Sequence, residues 1–108
     1  MSLRCSYGCG MSYLNFQWDP NKAETNRRKH GVTFHEAQSV FSDEFARVIP
    51  DPDSSFGEER FIILGVSEEY NTLVVCHCYR GEDEKIRIIS ARKAEKRERK
   101  QYEDCRYA

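Results

Sequence analysis

No stretch of the 108-residue chain approaches the ~20 consecutive apolar residues of a membrane helix, and its opening residues lack the apolar core of a secretory leader. A cytoplasmic protein with no membrane partner is expected. Only six glycines occur, none in a phosphate-binding loop, and the chain has neither a Gly-x-Ser-x-Gly elbow nor a His-Glu-x-x-His helix. These absences exclude P-loop nucleotide hydrolysis, nucleophile-elbow hydrolysis and zinc-protease chemistry. The five cysteines, Cys5, Cys9, Cys76, Cys78 and Cys105, are an odd number, so reduced thiols rather than a disulfide framework are expected. Cys5-x3-Cys9 and Cys76-His77-Cys78 have the composition of zinc ligands, but strand alternation turns His77 away from its two neighbours. No metal and no cofactor is therefore expected.

What is present fits one small core. Apolar residues make up 39% of the chain, including six Phe, six Tyr and one Trp, against 32% charged residues. Seventeen basic and eighteen acidic side chains leave a net charge of −1, which argues against a protein that simply coats nucleic acid. The charges are unevenly spread. Glu36 to Glu84 holds twelve acids and three arginines, whereas Lys85 to Ala108 holds nine bases and four acids. Such asymmetry suits a domain with one RNA-binding face, or equally a solvated helix laced with i,i+4 ion pairs.

Residues 1–13 carry no periodic signal; they read as a flexible tail, an expression remnant or the product of an alternative start, with Met11 as a second initiator. A single domain is expected over 14–108. Leu14, Phe16 and Trp18 alternate on one face of a short strand, with Trp18 in the core. Asp19-Pro20 then supplies an N-cap and a first-turn proline, and Gly31 a left-handed stop, which brackets a helix from Pro20 to His30. Thr33-x-x-Glu36 is a capping box for a second helix whose stripe is Ala37, Val40 and Phe41. A strand at Ala46–Ile49 is stopped by Pro50 and Pro52, and 51–55 is turn material. Three further strands are predicted at Arg60–Val66, Thr72–Arg80 and Lys85–Ser90, joined by hairpin turns. The remainder, Ala91 to Cys105, has helical composition, with Ser90 as its cap and a weakly apolar stripe of Ala91, Ala94, Glu98, Tyr102 and Cys105. The fold class is α+β: an N-terminal strand and two-helix hairpin on a four- or five-stranded, mostly antiparallel sheet, plus a C-terminal helix.

Three histidines, His30, His35 and His77, are each compatible with structural or surface roles. The arginines say more. Arg60, Arg80 and Arg87 lie in the predicted strands, and a rigid strand can hold planar guanidiniums toward phosphate oxygens and toward the extra charge of a phosphorane. The alternative is that each neutralises a nearby acid such as Glu58, Glu59 or Glu84. His77 and Tyr79 share a strand face and can act as acid or base, while Arg80 points to the other face. Trp18 and Phe34 can stack on a base or be buried.

A set of ordered motifs carries a family resemblance. These are Trp18-Asp19-Pro20-x-Lys22 with Asn26, Lys29-His30-Gly31-Val32-x-Phe34-x-Glu36-Ala37 with Val40-Phe41, and Glu59-Arg60-Phe61 with Gly65. They close with Ile86-Arg87-Ile88-Ile89-Ser90-Ala91-Arg92-Lys93-Ala94, then Glu98-Arg99 and Tyr102. From Phe16 to about Tyr102 the chain resembles the BrnT family of toxins from bacterial type II toxin–antitoxin systems. That resemblance implies a RelE-like fold and a metal-independent endoribonuclease that arrests growth by inhibiting translation. It also implies a cognate DNA-binding, BrnA-like antitoxin, through which the complex binds operator DNA and represses its own operon. The resemblance implies RNA cleavage by attack of a 2′-hydroxyl, with Arg60, Arg80, Arg87 and His30 as catalytic candidates. Lys29, Arg92 and Lys93 are the RNA-binding candidates, Arg92 and Lys93 opening the terminal helix against its dipole. Beside this stand a non-catalytic nucleic-acid-binding module and a protein-interaction adaptor.

Overall fold

The computed structural model describes residues 15–52, 59–80 and 85–106. Strand β1 (Asn15–Gln17) is followed by helix α1 (Pro20–His30), helix α2 (Phe34–Ser39) with a 3-10 turn at Val40–Ser42, and strands β2 (Arg47–Pro50), β3 (Arg60–Val66), β4 (Thr72–Arg80) and β5 (Lys85–Lys93). Helix α3 (Lys96–Arg106) closes the described chain. The tail over 1–13, Leu14 and the side chain of Cys105 lie outside the described residues, as do 53–58 and the β4–β5 turn over 81–84.

The five strands form one mixed sheet in the order β1-β5-β4-β3-β2, all pairs antiparallel except β1 with β5. Both helices of the hairpin pack on one face. Val32, Phe34, Ala37 and Val40 meet Ile63, Leu73, Val75, Ile88 and Ala91 there, and the cluster excludes water from nearly all of these side chains.

The local signals act as the composition predicts at α1. Asp19 accepts from the Asn21 N–H at 2.8 Å, Pro20 starts the helix, and Gly31 closes it at φ 70° with its N–H on the Arg27 carbonyl. The capping box at α2 is only half made. Thr33 Oγ accepts the Glu36 N–H at 3.0 Å, but the Glu36 carboxylate turns instead to Ser67 Oγ (2.7 Å) and Asn71 Nδ2 (2.8 Å). A buried carboxylate is thereby satisfied, and α2 is tied to the β3–β4 turn.

Three boundaries depart from expectation, besides a start of β2 one residue later, at Arg47. Pro50 is the last residue of β2 rather than its stop. It is tolerated because Asp51 N–H donates to the Arg60 carbonyl, so alternation sends position 50 to the outer side of an edge strand, where no N–H is needed. β5 runs on through Ala91, Arg92 and Lys93, and α3 begins only at Lys96. Ser90 is therefore a strand residue and caps nothing. The extension persists because Lys93, Arg92 and Ala91 pair with Leu73, Val74 and Val75 of β4, and Ala94 N–H donates to the Thr72 carbonyl. Glu95 and Glu98 open the helix in its place: Glu98 Oε1 accepts the Glu95 N–H at 2.8 Å.

Candidate functional site

Antiparallel register sets Arg60 of β3 opposite Cys78 of β4, and Cys78 opposite Arg87 of β5. Gly65 shows which way this row looks. A Cβ on Gly65 would stand 2.9 Å from both Ala46 Cβ and Val40 Cγ1, so Gly65 and its alternates Ile63 and Phe61 face the helices. Arg60, Ile62 and Leu64 face away. The same open face receives Arg47 and Ile49 from β2, Val74, Cys76 and Cys78 from β4, and Arg87, Ser90 and Arg92 from β5. Arg60 and Arg87 stand two strand spacings apart, roughly 10 Å.

The electrostatics of this row favour an external anion at Arg87. Arg87 is half-buried and forms no ion pair among the described residues. Cys78 between the two arginines is 1% exposed. Its neighbour Cys76 donates to Asp51 Oδ2 at 3.5 Å; burial pushes that thiol up to about 11, with the Asp51 hydrogen bond adding to the rise. It is a protonated, neutral group at physiological pH, so this thiol supplies neither a nucleophilic thiolate nor an anion of its own, and the carboxylate beside it is that of Asp51. Arg80 ends β4 opposite Lys85; its side chain lies outside the described residues.

Lys29 and His30 are placed by a different device. β1 pairs with β5 only as far as Arg87, and beyond that point Asn26 of α1 takes over the strand edge. Its Nδ2 donates to the Ala91 carbonyl (2.8 Å) and the Val32 carbonyl (3.0 Å), while its Oδ1 accepts the Ala91 N–H (3.0 Å). The C-terminal turn of α1 is thus fixed beside β5, where the register shifts between Cys76 and His77 and Ile89 becomes an extra residue. A groove of about 300 Å³ results, lined by Lys22, Thr25, Lys29, His30, Ile89 and Ser90 among others. Arg27 and Arg28 take no part, because both bond the Glu24 carboxylate, at 2.7 Å and 3.1 Å. Sequence reading gave Lys22 and Ser90 no site role, naming the first within a family motif and the second as a helix cap. The seven-residue spacing of Lys22 and Lys29, two helical turns on one face, is the signal that finds the first; the bulge that frees Ser90 has no local signature.

Arg92 and Lys93 lie at the far end of β5, on a strand and not on a helix, so no helix dipole opposes them; Arg92 is on the open face, whereas Lys93, paired with the core residue Leu73, alternates to the helix side. Arg92 bonds Glu98 through both guanidinium nitrogens, at 2.8 and 2.9 Å. Its charge is spent within the fold. Lys93 is exposed. The four apolar residues Ile49, Ile62, Leu64 and Val74 floor a second groove of about 430 Å³ here, walled by α3.

His77 is fully buried on the helix side. Phe41 lies edge-on to its ring at 4.8 Å, with Phe61 at 6.2 Å and Tyr79 at 5.4 Å, and burial pushes its pKa below the ordinary value, keeping it neutral. It cannot reach the arginine row. Phe34 is 1% exposed and Trp18 packs edge-on to it at 5.9 Å, so Phe34 is core rather than a base-stacking platform. Among the described residues no group of three potential metal ligands converges, and no helix is long and apolar enough to cross a membrane.

Comparison with known families now bears on this geometry. The family model described as the ribonuclease toxin BrnT of type II toxin–antitoxin systems matches residues 18–98. The chain belongs to the BrnT family. Its fold is similar to that of the Brucella abortus ribonuclease toxin BrnT, solved at 1.1 Å, with a TM-score of 0.60 and 25% identity over 77% of this chain and 99% of that one. A comparison with curated protein sequences gave no match. The residues matched by the BrnT family model include the whole arginine row and the α1 groove, so this is the chain of a ribonuclease toxin and its chemistry is RNA cleavage.

Proposed function

We propose that this toxin cleaves RNA without a metal, at a phosphate held between Arg60 and Arg87 on the open sheet face, with its strand running toward the α1 groove. One observation carries the reading: a half-buried Arg87 without an ion pair among the described residues stands in lateral register with Arg60 on a rigid sheet. In the reaction a ribose 2′-oxygen bonds the adjacent phosphorus, the bond from phosphorus to the 5′-oxygen breaks, and a proton passes from the 2′-hydroxyl to the leaving oxygen. Negative charge grows on the phosphoryl oxygens at the pentacoordinate stage. Two guanidiniums held by strands stabilise that charge without reorganising, which is the contribution a metal would otherwise make. Arg80, at the end of β4, is the third candidate for the clamp.

Lys29 holds the neighbouring backbone in the α1 groove, and Lys22 adds to it. His30, the histidine that lines that groove, is the candidate acid–base group. Lys93, on the helix side of β5, adds at most a peripheral phosphate contact at the sheet end, and Arg92 takes part only by leaving Glu98. A DNA-binding antitoxin of the BrnA type neutralises the toxin, and the pair represses its own operon. Incubation of the antitoxin-free chain with labelled RNA in excess EDTA tests the reading. Cleavage by the wild type that an Arg60→Ala, Arg87→Ala variant lacks is expected; activity that vanishes in EDTA and returns with magnesium would overturn it.

A further inference from the structure

The groove beneath α3 lies on the same sheet face as the arginine row but is chemically unlike it. Its floor is aliphatic, from Ile49, Ile62, Leu64 and Val74, with no aromatic ring for a base to stack on. Its α3 wall presents Glu98, Gln101 and Asp104, spaced three apart on one helix face, and Arg47 and Arg92 of the sheet line the groove as well; Arg92 is bonded to Glu98, so Arg47 and Asp104 carry the groove's remaining charges. The bases of that helix, Lys96, Arg97, Arg99 and Lys100, are exposed and do not line the groove. With one charge of each sign left over, the groove has no net attraction for a phosphate backbone. The apolar surface also continues past the groove around the sheet edge, where Ile49 is 46% and Val48 49% exposed on opposite faces of β2. A nucleobase needs no such continuation; a protein does.

We infer that this groove is the docking site of a protein partner, an amphipathic helix of the antitoxin, whose apolar stripe covers Ile49, Ile62, Leu64 and Val74 while a Lys or Arg of that helix meets Asp104 and an acid meets Arg47. The inference rests on the toxin–antitoxin reading for the existence of that partner. A helix rather than an added strand is selected by β2 itself. Asp51, Ile49 and Arg47 direct their polar groups to β3, so the outer edge offers only the N–H and carbonyl of Val48 and the carbonyl of Pro50. Recognition therefore falls to side chains in the groove. Antitoxin binding and phosphate binding then use separate parts of one face.

The experiment pairs two titrations on Ile49→Glu and Asp104→Lys, both exposed positions outside the arginine row. Affinity is measured against the purified antitoxin of the same operon, and cleavage against labelled RNA. Each variant is expected to bind antitoxin about tenfold or more weakly, through k_off for Ile49→Glu and with altered salt dependence for Asp104→Lys, while cutting RNA as the wild type does. Unchanged antitoxin affinity overturns the inference. So does parallel loss of cleavage in a variant with native circular dichroism, which gives the groove to RNA, and so does dimerisation of the free chain abolished by Ile49→Glu, which gives it to a second copy. Absence of cleavage by the wild type would strike the proposed activity instead and leave the antitoxin titration readable.

Discussion

Asn26 serves Ala91 as a neighbouring strand would, accepting its N–H at 3.0 Å and donating to its carbonyl at 2.8 Å. A side-chain amide carries the same donor and acceptor as a peptide, so one residue of α1 continues a ladder that β1 leaves unfinished. That bond also sets Lys29 and His30 against the bulge of β5.

Replacing Asn26 by Ala should strand buried backbone groups of Ala91 and Val32 and cost about 2–3 kcal/mol of stability. Denaturant unfolding monitored by Trp18 fluorescence measures it. Asn26→Asp keeps the acceptor but sets an oxygen against two carbonyls, so it should be no better at neutral pH. A loss below about 0.5 kcal/mol for Ala would mean that water replaces the amide.

Removing either strand arginine should slow RNA cleavage about 100-fold or more, in line with the loss of one preorganised donor to a developing oxyanion. Arg87→Lys should recover only part of this, because a point charge lacks the planar pair of donors. Single-turnover rates in EDTA, with unfolding midpoints alongside, separate chemistry from folding.

Arg92→Ala should impair cleavage far less than Arg87→Ala. Its guanidinium is already committed to Glu98, and that hydrogen bond, the largest influence on Glu98, holds the carboxyl below its ordinary pKa. Because the folded value is depressed, the stabilisation is present at neutral pH and is lost as the solution is acidified through the carboxyl range. The pair is partly exposed, 39% and 27%, so a double-mutant cycle should return no more than about 1 kcal/mol.

His77 predicts a second pH dependence. Its ordinary pKa of 6.5 is lowered in the fold by burial. Just below pH 6.5 the unfolded chain therefore binds more protons than the folded one, and stability falls as pH drops through that window toward the folded pKa. Unfolding free energies measured between pH 7.5 and 5 should fall more steeply for the wild type than for His77→Leu; parallel curves would show that the ring titrates normally.

Gly65→Ala tests the packing that defines the two faces. The new methyl group meets Ala46 Cβ and Val40 Cγ1 at 2.9 Å and Asp43 Oδ2 at 3.1 Å, none of which is the end of a long flexible chain. A loss of about 1–3 kcal/mol is expected from overpacking, visible as a lower Tm with RNA cleavage by the folded fraction unchanged.

How far the sequence could be read depended on the range of the forces involved. Helix α1 and strands β3 and β4 have the bounds read from the sequence, because Asp19, Pro20, Gly31 and the runs around Phe61–Leu64 and Leu73–Val75 act on their own neighbourhoods. Arg92-Lys93-Ala94 failed that test. Its composition is helical, yet pairing with β4 holds Arg92 and Lys93 extended, a contact twenty residues away in the chain.

The candidate site divides the same way. Residue types and the BrnT motifs nominated Arg60, Arg87, Lys29 and His30 as candidates, since planar cations in strands and a basic helix end have chemistry independent of what they face. Register decided the rest. Alternation alone could not place Arg60, Cys78 and Arg87 in one row, bury His77 behind the sheet, or bind Arg92 to Glu98, because each depends on which strands become neighbours and how they are aligned. Capping and periodicity are written in a few adjacent residues, whereas a surface that spans β3, β4 and β5 exists only once the sheet has closed.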